Sequence, residues 1–170
     1  MGQAQFATAQ IPVNLPHPEV LDYPLELDGI TLRINCVSMG NPHCVILIAA
    51  DVDGEAMAKK VGGNPGTSPL FPGRTNVQFV QVADRNTLKL WIWERGAGYT
   101  LASGSSSCAA ASVAFRLGLC DRTITLNMPG GQLAVVIRDD MQVEMTGPVT
   151  PVASMQSRLA LGVMDAHRVL

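Results

Sequence analysis

The chain has 170 residues, 47% hydrophobic and 15% charged, with a formal net charge of −2 at pH 7. That is enough chain for one domain with a substantial core, and too apolar for a disordered one. The charge balance, with no basic run and no interleaving of aromatic and basic residues, speaks against nucleic acid as a partner. No apolar run has membrane-spanning length, and the N-terminus lacks a charged segment followed by an apolar one, so a cytoplasmic location is expected. Cys36, Cys44, Cys108 and Cys120 form no CxxC pair and all lie in or beside apolar segments. Buried, reduced thiols are expected, and no metal site.

Residues 1–24 read as an irregular segment, because Pro12, Pro16, Pro18 and Pro24 interrupt any regular element. Leu25 to Leu32 reads as a hairpin around Asp28-Gly29, a dipeptide suited to tight turns with positive φ. A strand is expected over Ile30 to Met39, then a turn at Gly40-Asn41-Pro42-His43. The apolar run Cys44 to Ile48 reads as a strand buried on both faces. Asp51 to Val61 reads as a short helix capped by Asp51, with Glu55 early and Lys59-Lys60 late, an order that complements the helix dipole. The Gly- and Pro-rich stretch from Gly62 to Gly73 reads as a loop.

Two strands follow, Thr75 to Val82 and Thr87 to Trp93. Ser105 to Leu117 is expected to form an apolar, buried helix with Gly118 just past its end. Arg122 to Asn127, Gln132 to Arg138 and Met141 to Met145 read as three further strands. Residues 25–150 then make one domain, and 151–170 a tail with a last helix over 158–170. Mostly antiparallel strands around one buried helix make an α+β fold.

The stretch of chemical interest runs from Trp93 through Glu94-Arg95-Gly96-Ala97-Gly98-Tyr99-Thr100-Leu101-Ala102-Ser103-Gly104-Ser105-Ser106. A strand ends in a charged pair, a Gly-x-Gly turn follows, and small residues open a helix. The first four N–H groups of a helix have no intrahelical partner and the dipole favours negative charge, so such a place binds anions.

This stretch resembles the second active-site motif of the diaminopimelate epimerase family, Glu-Arg-Gly-x-Gly-Glu-Thr-x-Ala-Cys-Gly-Ser/Thr-Gly. Tyr99 stands where that motif has Glu, Ser106 where it usually has Gly, and Ser103 where it has Cys. Three more segments are similar to family motifs and keep the family order: Gly40-Asn41-Pro42-His43, Phe71-Pro72-Gly73-Arg74-Thr75-Asn76-Val77-Gln78-Phe79, and Met145-Thr146-Gly147-Pro148. Gly2 to Phe6 with Ile11-Pro12 resembles the segment where the family crosses from its first half to its second. The chain is then expected to begin near the middle of an ordinary member, with an N-terminal half-domain, carrying the other catalytic Cys, as its partner.

The resemblance implies a strongly curved sheet nearly closed around the central helix. It implies a small amino-acid substrate, no cofactor, and inversion at an α-carbon between two thiols on opposite faces. Asn41, Asn76, Glu94 and Arg95 would contact the ammonium and carboxylate groups, and Gly104 and Ser105 would hold the α-carboxylate. His43 and Glu94 would support proton transfer, and Ser103 would stand at the position of the second catalytic Cys. Each residue also has a plainer reading: His43 as a turn ligand, the two Asn as turn closers, Glu94 with Arg95 as a surface pair, and Ser103 as an N-cap.

A serine hydroxyl titrates far above a thiol and needs an adjacent base, so Ser103 is a poor proton carrier. Cys108 lies more than a turn inside the expected helix and is expected to face the core. Three readings stand: half of an epimerase, impaired alone; a carboxylate-binding module without catalysis; and, lowest, a purely structural domain. A homodimer is left open.

Overall fold

The computed structural model describes residues 1–154, apart from Asp28 and the side chain of Thr67. The expected helix over 158–170 lies outside the described residues.

The strands are β1 (Tyr23–Leu27), β2 (Ile30–Ser38), β3 (Pro42–Leu47), β4 (Asn76–Asp84), β5 (Thr87–Glu94), β6 (Gly98–Thr100), β7 (Thr123–Met128), β8 (Gly131–Ile137) and β9 (Val143–Thr146). The helices are α1 (Gly54–Val61), α2 (Gly63–Thr67) and α3 (Gly104–Arg116). The strands form one sheet in the order β1-β2-β3-β4-β5-β7-β8-β9, with β6 paired to β5. All neighbours are antiparallel except β3 with β4 and β5 with β7. The fold is α+β and mostly sheet, as the sequence suggests.

The two parallel pairs explain where the helices sit. Parallel neighbours cannot be joined by a tight turn and need a long crossover. The first crossover, between β3 and β4, carries α1 and α2. The second, between β5 and β7, carries β6 and α3.

The two crossovers supply two cores. Val37, Val45, Val80, Leu88, Leu90 and Ile92 pack with the small residues of α3, together with Ala4 and Phe6. Cys36, Cys44, Ile46, Val77 and Phe79 share the other cluster with Ala58 and Val61 of α1, and Trp91 and Trp93 lean on it. Successive strand residues point to opposite faces, so the alternation in β4 and β5 feeds both clusters at once. This is why β3 is buried on both faces. α3 is buried from Ser106 to Ala114 and packs against β2, β3, β4, β5, β7, β8 and β9.

Several expectations are corrected. The cap of α1 is Asp53, not Asp51: its Oδ1 accepts from the N–H groups of Glu55 and Ala56 at 3.1 and 3.0 Å. Part of the expected loop after Gly62 is the short helix α2, and Gly98–Thr100, expected to be turn and connection, is strand β6. The N-terminal segment, expected to be irregular through residue 24, carries a 3₁₀ turn at Thr8–Gln10 and runs into β1 at Tyr23. Phe6, Ile11, Val13 and Val20 are buried, and Gln5 pairs with Ser38.

The end of α3 follows the expected pattern. Gly118 takes φ 72°, its N–H reaches Phe115 O at 2.9 Å, and the N–H of Leu119 reaches Ala114 O at 2.9 Å, closing the helix with the paired bonds of a glycine C-cap. All four cysteines are free and buried, and Cys36 and Cys44 lie opposite each other on β2 and β3. Burial raises the Cys108 thiol to about 11, so it is inert at neutral pH.

Candidate functional site

β3 and β4 run parallel and β5 runs back against β4. The start of β3, the start of β4 and the end of β5 therefore meet at one end of the sheet. The register places His43 beside Asn76, and Val77 beside Trp93, which puts Asn76 next to Glu94. By alternation, His43, Asn76, Gln78 and Glu94 all lie on the α3 face. The N-terminus of α3 arrives at the same end, because Gln78 Nε2 donates to Ser106 Oγ at 3.0 Å.

Two connections deliver the remaining residues. After β3, strand pairing ends and the chain leaves the sheet; before it, Gly40 at φ 89° makes the turn that sets Asn41 and His43. After Glu94 the chain turns through Arg95-Gly96-Ala97 into β6, with Glu94 opposite Gly98. Leu101 and Ala102 then lead to Ser103, the extended residue before α3, at φ −158° and ψ 128°. A cavity of about 160 Å³, lined by Ala102, Met128 and Pro148 among others, opens beside this connection.

The helix start is open. The Ser103 side chain makes no capping bond, and there is no acidic residue in the first turn. Ser107 N–H is bonded to Ser103 O at 3.1 Å, and Ser107 Oγ donates to the same carbonyl at 2.8 Å. The N–H groups of Gly104, Ser105 and Ser106 have no partner among the described residues. Ser103, Gly104 and Ser105 are half-buried, and Ser106 is buried. A side chain at 104 would press on Met145, 3.1 Å from the ideal Cβ, so glycine keeps this end slim.

The polar residues behind it are held in sequence. Asn76 Nδ2 donates to Pro42 O at 3.1 Å, and its Oδ1 accepts from the Arg95 N–H at 3.1 Å. Asn76 thus ties β3 to the turn after β5, and is 6% exposed. Arg95 is exposed and its Nη1 donates to Gly73 O at 3.2 Å. Glu94 is half-buried and does not pair with Arg95, so the surface-pair reading fails.

His43 is wholly buried, with Nε2 at 3.0 Å from Asn41 Oδ1 and Nδ1 at 3.1 Å from Gln78 Nε2. Burial, and secondarily the Arg95 charge, lowers its pKa to about 4. It is neutral at pH 7, and both its ring nitrogens are occupied. Gln78 and Ser106 are the members that sequence reasoning missed. The usable signal was a glutamine between Val77 and Phe79 in a strand buried on both faces. No group of three or more metal-ligating side chains occurs among the described residues, and no described helix is long and apolar enough to cross a membrane.

The model of the diaminopimelate epimerase family matches residues 35–152. The chain belongs to that family. Diaminopimelate epimerase 2 of Nostoc sp. (strain PCC 7120 / SAG 25.82 / UTEX 2576) is 48% identical over 170 residues, which is all of this chain and 58% of the relative. Diaminopimelate epimerase of Moorella thermoacetica is 44% identical over 153 residues, 89% of this chain and 54% of the relative. The chain spans about half the length of the curated relatives it matches. Among solved structures, a hydroxyproline epimerase from Agrobacterium vitis, with bound trans-4-hydroxy-L-proline, has a TM-score of 0.53 at 10% identity, over 74% of this chain and 44% of that one. That likeness is one of fold alone.

Membership of the diaminopimelate epimerase family covers the whole stretch just described. The departure at Tyr99 falls away from the α3 face. Tyr99 is paired with Trp93, its ring lies under Lys59 with Nζ 4.9 Å from the centroid, and it packs with the α1 cluster.

Proposed function

We propose that this chain supplies one half of a diaminopimelate-epimerase-like site, for cofactor-independent inversion at an amino-acid α-carbon, with LL- and meso-diaminopimelate as the substrate pair. In this reading the sheet curves strongly around α3. The observation that carries the proposal is the open start of α3: three N–H groups without a partner among the described residues, at the end of the sheet where Asn41, Asn76, Glu94 and Arg95 gather.

The chemistry follows from charge. Removing an α-proton builds negative charge beside the carboxylate. Fixed N–H donors aimed there stabilise that charge, and they need no reorganisation when it forms. Gly104 and Ser105 hold the α-carboxylate through their N–H groups. Asn41 and Arg95 meet the polar groups of the substrate, with Arg95 held by Asn76 and Gly73 O. Glu94, free of Arg95, supports proton transfer. Asn76 and His43 act from behind, since both are buried and hydrogen-bonded.

Ser103 stands at the place of the second thiol and limits the reaction. A thiol titrates at about 8.5 and lower still at a helix N-terminus, whereas a hydroxyl lies far higher and needs an adjacent base. The chain with Ser103 is therefore slow or one-sided, and inactive without the other half of the site. The second reading, a carboxylate-binding module, is favoured by the same residue, because the open amides do not depend on the sulfur.

The test uses diaminopimelate in deuterium oxide, with the chain alone and with the N-terminal half of the Nostoc relative added. Slow α-hydrogen exchange in the mixture, raised by Ser103→Cys, supports the epimerase reading. Ligand binding without exchange, in both the wild type and the Ser103→Cys variant, leaves the binding module. Neither binding nor exchange sinks both.

A further inference from the structure

Gln78 connects the start of α3 to His43, and His43 connects to Asn41. The carboxamide nitrogen of Gln78 lies 3.0 Å from Ser106 Oγ and 3.1 Å from His43 Nδ1, and His43 Nε2 lies 3.0 Å from Asn41 Oδ1. We infer that Gln78 is a positioning residue that fixes His43 in its Nε2-protonated form and thereby turns the Asn41 amide so that its N–H groups, not its oxygen, face the substrate. This rests on the site proposed above and adds its polarity: Asn41 is a donor, selecting an acceptor such as a carboxylate over an ammonium group.

The direction of the relay follows from what is left unpaired. Each link can be written in two ways, since an amide can be turned end for end and an imidazole can move its proton. In the direction assigned here, Gln78 donates twice, His43 Nδ1 accepts and Nε2–H donates to Asn41. The leftover atom is Gln78 Oε1, which is buried and without a partner among the described residues. In the reverse direction Ser106 and His43 would both donate to Gln78 Oε1, and the leftover group would be a buried NH₂.

A carbonyl stripped of its partner is tolerated more often than an orphaned N–H donor. The assigned direction is the less costly one. A neutral ring also suits the site, because no carboxylate among the described residues bonds to His43 and the nearby charge is the Arg95 cation. At the outer end, Asn41 is half-buried and its Nδ2 has no partner among the described residues. The relay therefore ends in a pair of available N–H bonds.

The occupant of position 106 fits the same account. A glycine there would leave the second Gln78 proton without an acceptor inside the protein. Ser106 supplies that acceptor, and its burial excludes water from doing so.

The experiment reads the proton directly, with the full chain and no substrate. Protein with ¹⁵N-labelled histidine is recorded by long-range ¹H–¹⁵N correlation between pH 5 and 8, and His43 is assigned by loss of its signals in His43→Gln. The expected wild-type pattern is protonated Nε2 and lone-pair Nδ1 throughout. A ring protonated on Nδ1, or an even mixture, overturns the proposal and needs no variant.

Gln78→Glu replaces the donor by an acceptor. It should move the proton to Nδ1 and bring the doubly protonated ring in at the lower end of that range, where the wild type stays neutral, a gain in proton affinity of about tenfold or more. Gln78→Leu should give a mixture of tautomers. An unchanged His43 spectrum in either folded variant overturns the assignment. Because no ligand is present, failure to bind diaminopimelate would defeat the proposed function without touching this result.

Discussion

The starts of α1 and α3 are built in opposite ways. At α1, Asp53 accepts from two backbone N–H groups, Glu55 adds negative charge in the first turn, and Lys59 pairs with Glu55 at 2.6 Å. Every feature there stabilises an exposed helix. At α3, Ser103 caps nothing, the first turn has no acid, and three N–H groups stay open. Yet α3 is the more deeply buried helix. Packing against seven strands holds it, so its start does not have to be closed for stability. Helices in proteins owe most of their stability to such packing, and this lets the start of α3 stay uncapped.

What the start of α3 has in place of a cap is the buried relay through Gln78 and His43, and acid should break that first. His43 titrates at about 4 in the fold against an ordinary 6.5. Below about 6.5 the unfolded chain takes up the proton and the folded chain does not. Stability is therefore complete above that pH and is lost as pH falls from about 6.5 to about 4, by up to about 3 kcal/mol. Urea midpoints across that window should fall for the wild type and fall less for His43→Gln. Parallel curves would show that the relay carries no such linkage.

The next effect belongs to α1. An added Cβ at Gly54 would sit 2.2 Å from the Trp91 ring, so Gly54→Ala must push the helix off the sheet or move a packed indole. Overpacking of this kind costs about 1–3 kcal/mol. Thermal unfolding checks it, and an unchanged midpoint would mean that α1 is not seated on Trp91 as described.

The contrast between the two helices was only half legible in the chain. The α3 start could be read, because glycine and hydroxyl residues between a strand and an Ala-rich run leave few other outcomes. Its far end was legible for a similar reason, with Gly118 alone able to take the positive φ cheaply. The α1 cap was misplaced by two residues, since Asp51 and Asp53 look alike until the turn at Ala49–Val52 is known. The short helix α2 was hidden by its glycines and proline, and tertiary packing overrides such propensities. Strand β6 was hidden because three residues carry no period. In the site, family likeness pointed to His43, Asn41 and Asn76 but not to how they are held. That depends on which residues share a face across β3, β4 and β5, and the parallel register of β3 with β4 was not readable from either strand alone. Gln78 was therefore visible only as a polar position inside one matched segment, Phe71 to Phe79.

Exchanging the two caps should reverse the two helix starts. Asp53→Ala removes two hydrogen bonds and should cost about 1 kcal/mol, with no change in ligand binding. Ser103→Asp does the reverse: an extended residue at that position can fold a carboxylate back onto the open N–H groups. It should stabilise α3 by about 0.5–1 kcal/mol and abolish carboxylate binding in a calorimetric titration. Binding that survives would place the ligand elsewhere.

The smallest expected effect is the most discriminating. Ser103→Ala should leave stability within about 0.5 kcal/mol of wild type, although serine at an N-cap is normally worth about 1 kcal/mol. The reason is geometric: the Ser103 hydroxyl makes no capping bond that its loss could break, and the carbonyl that receives both Ser107 bonds is retained. A full cap penalty in urea unfolding would mean that the hydroxyl closes the helix in solution. The N–H groups would then be shared with Ser103 before any substrate arrives, and a ligand would have to displace it. A flat response means that the amides stand open, held in place by burial of the helix behind them.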